Sequence, residues 1–195
     1  VVPDTRRISK LDVSDSFLQG VELFLSCADS LESSPLYVND AIEYASYYLA
    51  AKADDCYKRA LKEDSLGNRV AAMQQLDRSV EILLLASHPL YRLEEWVDMA
   101  RDWGKTDLEK DAYEANAKRL ITTWGGFQED YAARFWSGLI KDYYIPRMKL
   151  YFSEQRADLD RWEENWIKAP WHNTSTSFED PLQSAIKLVE RYKGE

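Results

Sequence analysis

Residues 40–87, DAIEYASYYLAAKADDCYKRALKEDSLGNRVAAMQQLDRSVEILLLAS, decide the fold. Ala45, Leu49, Ala53, Cys56 and Ala60 recur at intervals of three and four, which is one stripe of a helix. The pattern predicts a long helix from an Asn39 or Asp40 cap to Ser65-Leu66-Gly67, where glycine can take the left-handed conformation that closes a helix. Met73, Leu76, Val80, Leu83 and Leu84 place a second helix from about Arg69 to Ser87, and so short a link makes the two antiparallel. The alanine and aromatic texture of the pair is that of a tetratricopeptide repeat. No second copy occurs at a fixed period and the first helix is too long, so a repeat array is set aside.

The same periodicity extends to both ends. Phe17, Val21, Phe24, Ala28 and Leu31 predict a helix from about Ser14 to Leu31, ended by Ser33-Ser34-Pro35. Leu93, Trp96, Val97, Ala100 and Trp103 predict another, with Gly104 as its terminator. Thr106-Asp107-Leu108-Glu109 is a capping box opening a helix to about Leu120. Trp124-Gly125-Gly126 breaks the pattern, and Tyr131, Phe135, Gly138, Leu139 and Tyr143 suggest a helix from about Asp130 that Pro146 kinks or interrupts before Leu150. Leu159, Trp162, Trp166 and Ile167 form a seventh helix. Pro170 to Ser177 reads as a surface loop, and Asp180-Pro181 supplies a cap and a first-turn proline for a last helix carrying Leu182, Ile186 and Val189. The expectation is an all-α chain, residues 1–195 forming a single helical domain of about seven or eight mostly antiparallel helices.

Composition agrees. Seven Trp, twelve Tyr and six Phe in 195 residues furnish a large core, while seven Gly and six Pro are too few turn residues for a many-stranded sandwich or barrel. With Lys and Arg at 25 against 34 Asp and Glu, the net charge of −9 disfavours nucleic acid and anionic membrane as partners. No run of about eighteen apolar residues suggests a membrane span. The opening Val1-Val2-Pro3-Asp4 has no signal-peptide character and reads as cut from a longer polypeptide. Cys27 and Cys56 lie far from any Cys-x-x-Cys spacing and on or beside apolar stripes, so two buried thiols are expected, with a disulfide between neighbouring helices left open. Asn173-Thr174-Ser175 matches a glycosylation acceptor and points to an exposed loop.

The search for chemistry is mostly negative. His88 and His172 have no partners at metal-ligand spacing, so no metal and no cofactor are expected. A glycine-rich phosphate loop and a Gly-x-Ser-x-Gly turn are both missing. The acid pairs Asp54-Asp55, Glu94-Glu95, Glu129-Asp130 and Glu163-Glu164 point about 100° apart on a helix and read as solvated faces rather than converging catalytic groups. Trp124 differs. It lies in a glycine-flanked break between helices, where an indole held at a cleft can stack on the apolar face of a sugar ring, with Phe127 and Tyr131 nearby in sequence. The alternative is that Trp124 folds back over the core.

Tyr113-Glu114-Ala115-Asn116-Ala117-Lys118, Leu120-Ile121-Thr122-Thr123-Trp124-Gly125, Asp130-Tyr131-Ala132, Trp136-Ser137-Gly138-Leu139-Ile140 and Tyr143-Tyr144-Ile145-Pro146-Arg147 occur in an order that resembles the C-terminal domain of α-N-acetylglucosaminidases, glycoside hydrolase family 89. The resemblance implies a helical domain that packs on the catalytic (β/α)8 barrel domain of the same polypeptide and walls the pocket for a glycan with terminal α-linked N-acetylglucosamine. It also implies retaining hydrolysis by two glutamates of the barrel, so this chain holds no catalytic residue and is inactive alone. Among the site residues it implies Trp124, in Thr-x-Trp-Gly, and Tyr131, in Asp-Tyr-Ala, as sugar contacts. A third family contact, an apolar residue just before the tyrosine, falls near Gln128 in a loop, Gly125 to Asp130, shorter than the family's. Lys118 replaces a usual Arg and Met148 a usual Trp. By resemblance the parent is non-cytosolic: periplasmic or secreted in a bacterium, lysosomal in a eukaryote. The competing class is a non-enzymatic helical protein-interaction module.

Overall fold

The structure, a computed structural model, describes residues 14–86, 92–123, 134, 136–153, 158–171 and 180–194. Among them are α1 (Asp15–Leu25), α2 (Ala28–Leu31), α3 (Pro35–Ser65), α4 (Arg69–Leu85), α5 (Leu93–Asp102), α6 (Asp107–Leu120), a π-helical turn (Ile140–Tyr144), α7 (Ile145–Tyr151), α8 (Leu159–Lys168) and α9 (Pro181–Tyr192). The fold is all-α, as the periodicity predicts. The described residues group into two compact units, one with α1–α4 and α9, the other with α5–α8 and the π-helical turn.

The first unit is built on α3 and α4. Ala41, Ala45, Ala53, Ala60 and Ala72 are buried, and such small side chains let neighbouring backbones approach closely around Tyr48, Leu49, Leu76 and Leu83. Gly67 joins the two helices at φ 79°, the left-handed residue expected there. Two hydroxyls fasten the pair: Ser46 donates to the Ala86 carbonyl at 2.5 Å and Ser79 to that of Ala53 at 2.8 Å.

Three expectations fail here. The long helix starts five or so residues before the Asn39–Asp40 cap, because Ser34 accepts the Tyr37 N–H and Pro35 occupies the first turn, where its missing N–H costs nothing. Pro35 opens this helix, although the sequence reading used it only to end the one before. The predicted Ser14–Leu31 helix is also two. It breaks at Ser26-Cys27, where the Ser26 hydroxyl donates to the Leu23 carbonyl, a local bond that competes with helix continuation. The break leaves Cys27 exposed, contrary to the expected pair of buried thiols; Cys56 is buried, and both are free.

In the second unit, Gly104 follows α5 as predicted but without a left-handed φ. Its role is close approach, since a Cβ there would stand 2.6 Å from the Lys110 backbone nitrogen. The helix expected from about Asp130 is corrected where it is described: residues 134 and 136–138 are not helical and Leu139 is, while residues 130–133 and 135 lie outside the described residues. Gly138 sits at φ 86°, with the Trp171 ring 3.1 Å from where a Cβ would be. It is a turn glycine, not a helix-face residue. Pro146 falls in the first turn of α7, immediately after the π-helical turn, so the interruption it predicted takes the form of a change in helix type.

Candidate functional site

Helix α6 carries the chain into Thr122-Thr123-Trp124-Gly125, so how α6 is held bears on any ligand surface there. Its start is the predicted capping box: Thr106 Oγ1 accepts the Glu109 N–H at 3.2 Å, and the Glu109 carboxylate accepts the N–H of Thr106 at 3.1 Å and of Lys105 at 2.8 Å.

Its last turns are held by buried charge. Lys118 is only 1% exposed; its Nζ lies 2.7 Å from Glu114 and donates to the Ala169 carbonyl, with the Trp166 ring 5.4 Å away. Glu114, itself buried, takes the Arg101 guanidinium at 2.6 Å and the Trp171 N–H at 2.6 Å. Burial alone would raise its carboxyl pKa; the Lys118 ammonium and Arg101 outweigh burial and hold it below the usual carboxylate range. The Thr122 hydroxyl, buried, then donates to the Lys118 carbonyl at 2.7 Å. The chain thus leaves α6 from a fixed point.

It is fixed again downstream. The Arg134 N–H donates to the Tyr144 hydroxyl oxygen at 3.2 Å, and the Trp136 ring meets Trp96 edge-on at 5.9 Å. Trp96 in turn donates from Nε1 to the Ala117 carbonyl of α6. Buried Ser137 accepts the Leu93 N–H at 3.0 Å. Below lies a second charged cluster, in which buried Glu163 accepts from the Tyr143 hydroxyl and pairs with Arg147. Burial first, and then the Glu163 charge, push the Tyr143 hydroxyl well above its ordinary pKa.

Beside this frame, α5 and α6 border an apolar hollow of about 290 Å³ lined by Trp96, Met99, Trp103, Tyr113, Asn116 and Leu120 among others. Trp103 is 75% exposed, an unusual state for an indole. Leu120, the last residue of α6, lines it and stands four residues before Trp124 in sequence.

Trp124, Gln128 and Tyr131, the three sequence-predicted site residues, lie outside the described residues, with Phe127, His88, His172, Glu129-Asp130 and the Asn173-Thr174-Ser175 acceptor; of the Pro170 to Ser177 loop, residues 170 and 171 are described. Among the described residues no three His, Cys, Asp or Glu side chains gather as a metal site. The acid pairs require a correction. Glu163 and Asp54 are buried while Glu164 and Asp55 are exposed, because a 100° step on a helix sends one of two neighbours inward. Sequence reasoning missed the Glu114–Lys118 pair as a structural element; its Glu-to-Lys spacing of four was the available signal.

A family model described as the α-N-acetylglucosaminidase C-terminal domain matches residues 9–192. The human (Homo sapiens) α-N-acetylglucosaminidase is 30% identical over an alignment of 148 residues that covers 71% of this chain and 20% of that protein. A family 89 glycoside hydrolase from Clostridium perfringens, solved in complex with PUGNAc, matches with a TM-score of 0.75 and 26% identity over 94% of this chain and 24% of that one. A structure from the same organism in complex with its substrate GlcNAc-α-1,4-galactose gives 0.75 and 26% over 93% and 24%. The chain therefore spans between a fifth and a quarter of the length of these relatives.

Proposed function

The chain belongs to the family of α-N-acetylglucosaminidase C-terminal domains, and from that premise we propose that it packs on the catalytic barrel of its own polypeptide and forms one wall of the pocket for a terminal α-linked N-acetylglucosamine. The parent enzyme in this reading is a secreted, periplasmic or lysosomal glycoside hydrolase. Trp124 packs its indole on the apolar face of the sugar, Tyr131 offers its hydroxyl as a hydrogen-bond partner, and Gln128 stands near the place of the family's third contact. The two carboxyl groups of a retaining mechanism, about 5–5.5 Å apart, come from the barrel. This chain binds and orients.

One observation supports the reading: α6, which precedes the Thr-x-Trp-Gly motif in sequence, is locked by buried Lys118 and Glu114 and borders the apolar hollow. Rigid support is what a substrate contact on a loop requires, and an exposed apolar face is what docking on another domain requires. The test is hydrolysis of an aryl α-N-acetylglucosaminide by the full-length parent carrying Trp124→Ala or Tyr131→Phe. We expect kcat/KM to fall by about tenfold or more for Trp124→Ala, the loss of one stacked aromatic contact, with the fold retained. Unchanged kcat/KM in both folded variants would remove the domain from the pocket.

A further inference from the structure

Large apolar side chains are exposed in several parts of the chain. Leu23, Leu31 and Leu36 around α1–α3, and Leu66 and Val70 beside the Gly67 turn, are single aliphatic residues of the kind any surface carries. A hollow of about 320 Å³ against α1 has only Phe17 among its lining residues as an exposed large apolar side chain, since Val21 is buried and Phe24 and Tyr44 are half-buried. The α5–α6 face differs. There Met99, Trp103, Tyr113 and Leu120 are all exposed, Met99 by 51%, and all four line one hollow. Aromatic residues and methionine are the types that concentrate at the centres of protein interfaces, and tryptophan and tyrosine carry most of their energy.

The hollow is also preformed. Trp96 and Ala117, both in its lining, are tied by the bond from the indole Nε1 to the Ala117 carbonyl at 2.9 Å. Arg101 of α5 pairs with Asp111 at 2.9 Å and with Glu114 on α6, and Gly104 lets the link between the helices pass against the Lys110 backbone. A face held in this way loses little freedom on docking.

We infer, given the packing on the barrel proposed above, that the α5–α6 face is where this domain docks on the rest of its own polypeptide, with an apolar side chain from outside residues 1–195 seated against Trp103. Two observations choose that occupant. The relatives carry three quarters or more of their length outside the part this chain matches, so a tethered partner is at hand, and tethering makes a small patch sufficient. A second copy would need about 800 Å² and 20–30 residues on each side. Eight residues line the hollow.

The first test uses the unmodified full-length parent. Dilute hydrogen peroxide converts methionine to its sulfoxide, and peptide mass spectrometry reads the rate at each site. By their exposure in this chain, Met99 oxidises first, half-buried Met73 next and buried Met148 last. Docking through α5–α6 reverses the first two, and Met99 is expected to react at least about threefold more slowly than Met73. Met99 oxidising fastest overturns the inference. The second test identifies the occupant: the photo-cross-linking residue p-benzoylphenylalanine replaces Trp103 in the full-length parent, with Leu36 and Val70, both about as exposed, replaced in the same way for comparison. The probe in place of Trp103 is expected to capture a peptide from outside residues 1–195 of the same molecule. Capture of a second copy, seen as a covalent dimer, or of a peptide within residues 1–195 overturns the inference. If only the probe at Leu36 or Val70 captures the rest of the polypeptide, the face is wrong and the packing proposal stands. If no probe captures it and Met99 oxidises fastest, the packing proposal fails and the inference goes with it.

Discussion

Replacing Lys118 by Met keeps the bulk of the side chain and deletes its charge. Three interactions go with the ammonium: the pair with Glu114 at 2.7 Å, the bond to the Ala169 carbonyl, and the placement over the Trp166 ring at 5.4 Å. The Glu114 carboxylate stays behind, 4% exposed, with Arg101 and the Trp171 N–H still on it. Removing one partner of a buried pair costs about 3–5 kcal/mol when nothing compensates the other. Arg101, whose side chain is 33% exposed, compensates part of that, while the abandoned Ala169 carbonyl adds about 1 kcal/mol or more. The expected loss is about 3 kcal/mol, at the lower end of the buried-pair range. In urea, with a slope near 2 kcal/mol/M, the midpoint drops by about 1.5 M. Lys118→Arg, which retains the charge, should lose less than about 1 kcal/mol, because the surviving guanidinium still neutralises Glu114. A loss below about 1 kcal/mol for Lys118→Met at unchanged slope refutes the reasoning, since an exposed ion pair would give as much.

Two further outcomes follow from the same geometry. The folded Glu114 carboxyl lies below its ordinary value of 4.5, so the stability it contributes is fully present above that pH and is lost as the pH falls through the folded value. The stability gap between the unmodified protein and Glu114→Gln should hold steady from about pH 7 to pH 5 and narrow below about 4.5, read from urea midpoints across that range; a gap that widens on acidification contradicts the assignment. Gly138→Ala should destabilise by about 1–3 kcal/mol, combining a left-handed φ with the Trp171 ring 3.1 Å and Leu93 Cβ 3.3 Å from the new methyl. Gly20→Ala, within α1 and with nothing within 4 Å of its Cβ, serves as the control and should be neutral or gain up to about 1 kcal/mol.

Helices whose burial stripe and caps agree were readable from sequence. The Thr106–Glu109 capping box, the Asp180-Pro181 start and the Gly67 turn all stand where the pattern puts them. What the pattern missed were residues with two possible meanings. A proline after Ser33-Ser34 both ends one helix and begins the next, and only tertiary packing chooses. Gly138 fits an apolar stripe as well as it fits a turn, and the Trp171 ring that decides between them is 33 positions away in sequence (171 − 138). The site was legible differently. Trp124, Gln128 and Tyr131 come from motif order and stay proposals, whereas the buried cluster of Lys118 and Glu114 with Arg101, Ala169 and Trp171 is visible only once segments distant in sequence are brought side by side. Lys118 drew notice as a departure from a usual Arg; its burial against Ala169, 51 residues on, carries no local signal.

The unit formed by α1–α4 and α9 is discontinuous in the chain: everything from residue 92 to residue 171 is interposed before α9 arrives. On a ribosome, α3 and α4 can zip together as soon as both emerge, since their contacts are local. The seam on α3 that receives α9, whose Leu182, Ala185, Val189 and Tyr192 are buried in the finished fold, must wait until α9 itself has been made. During that interval an apolar strip stays wet and open to misassociation with other nascent chains. A stop codon or proteolytic nick just ahead of Pro181 would therefore leave the interposed unit's own helices complete and make the earliest-synthesised half of the domain the part that fails, a polarity opposite to the order of synthesis.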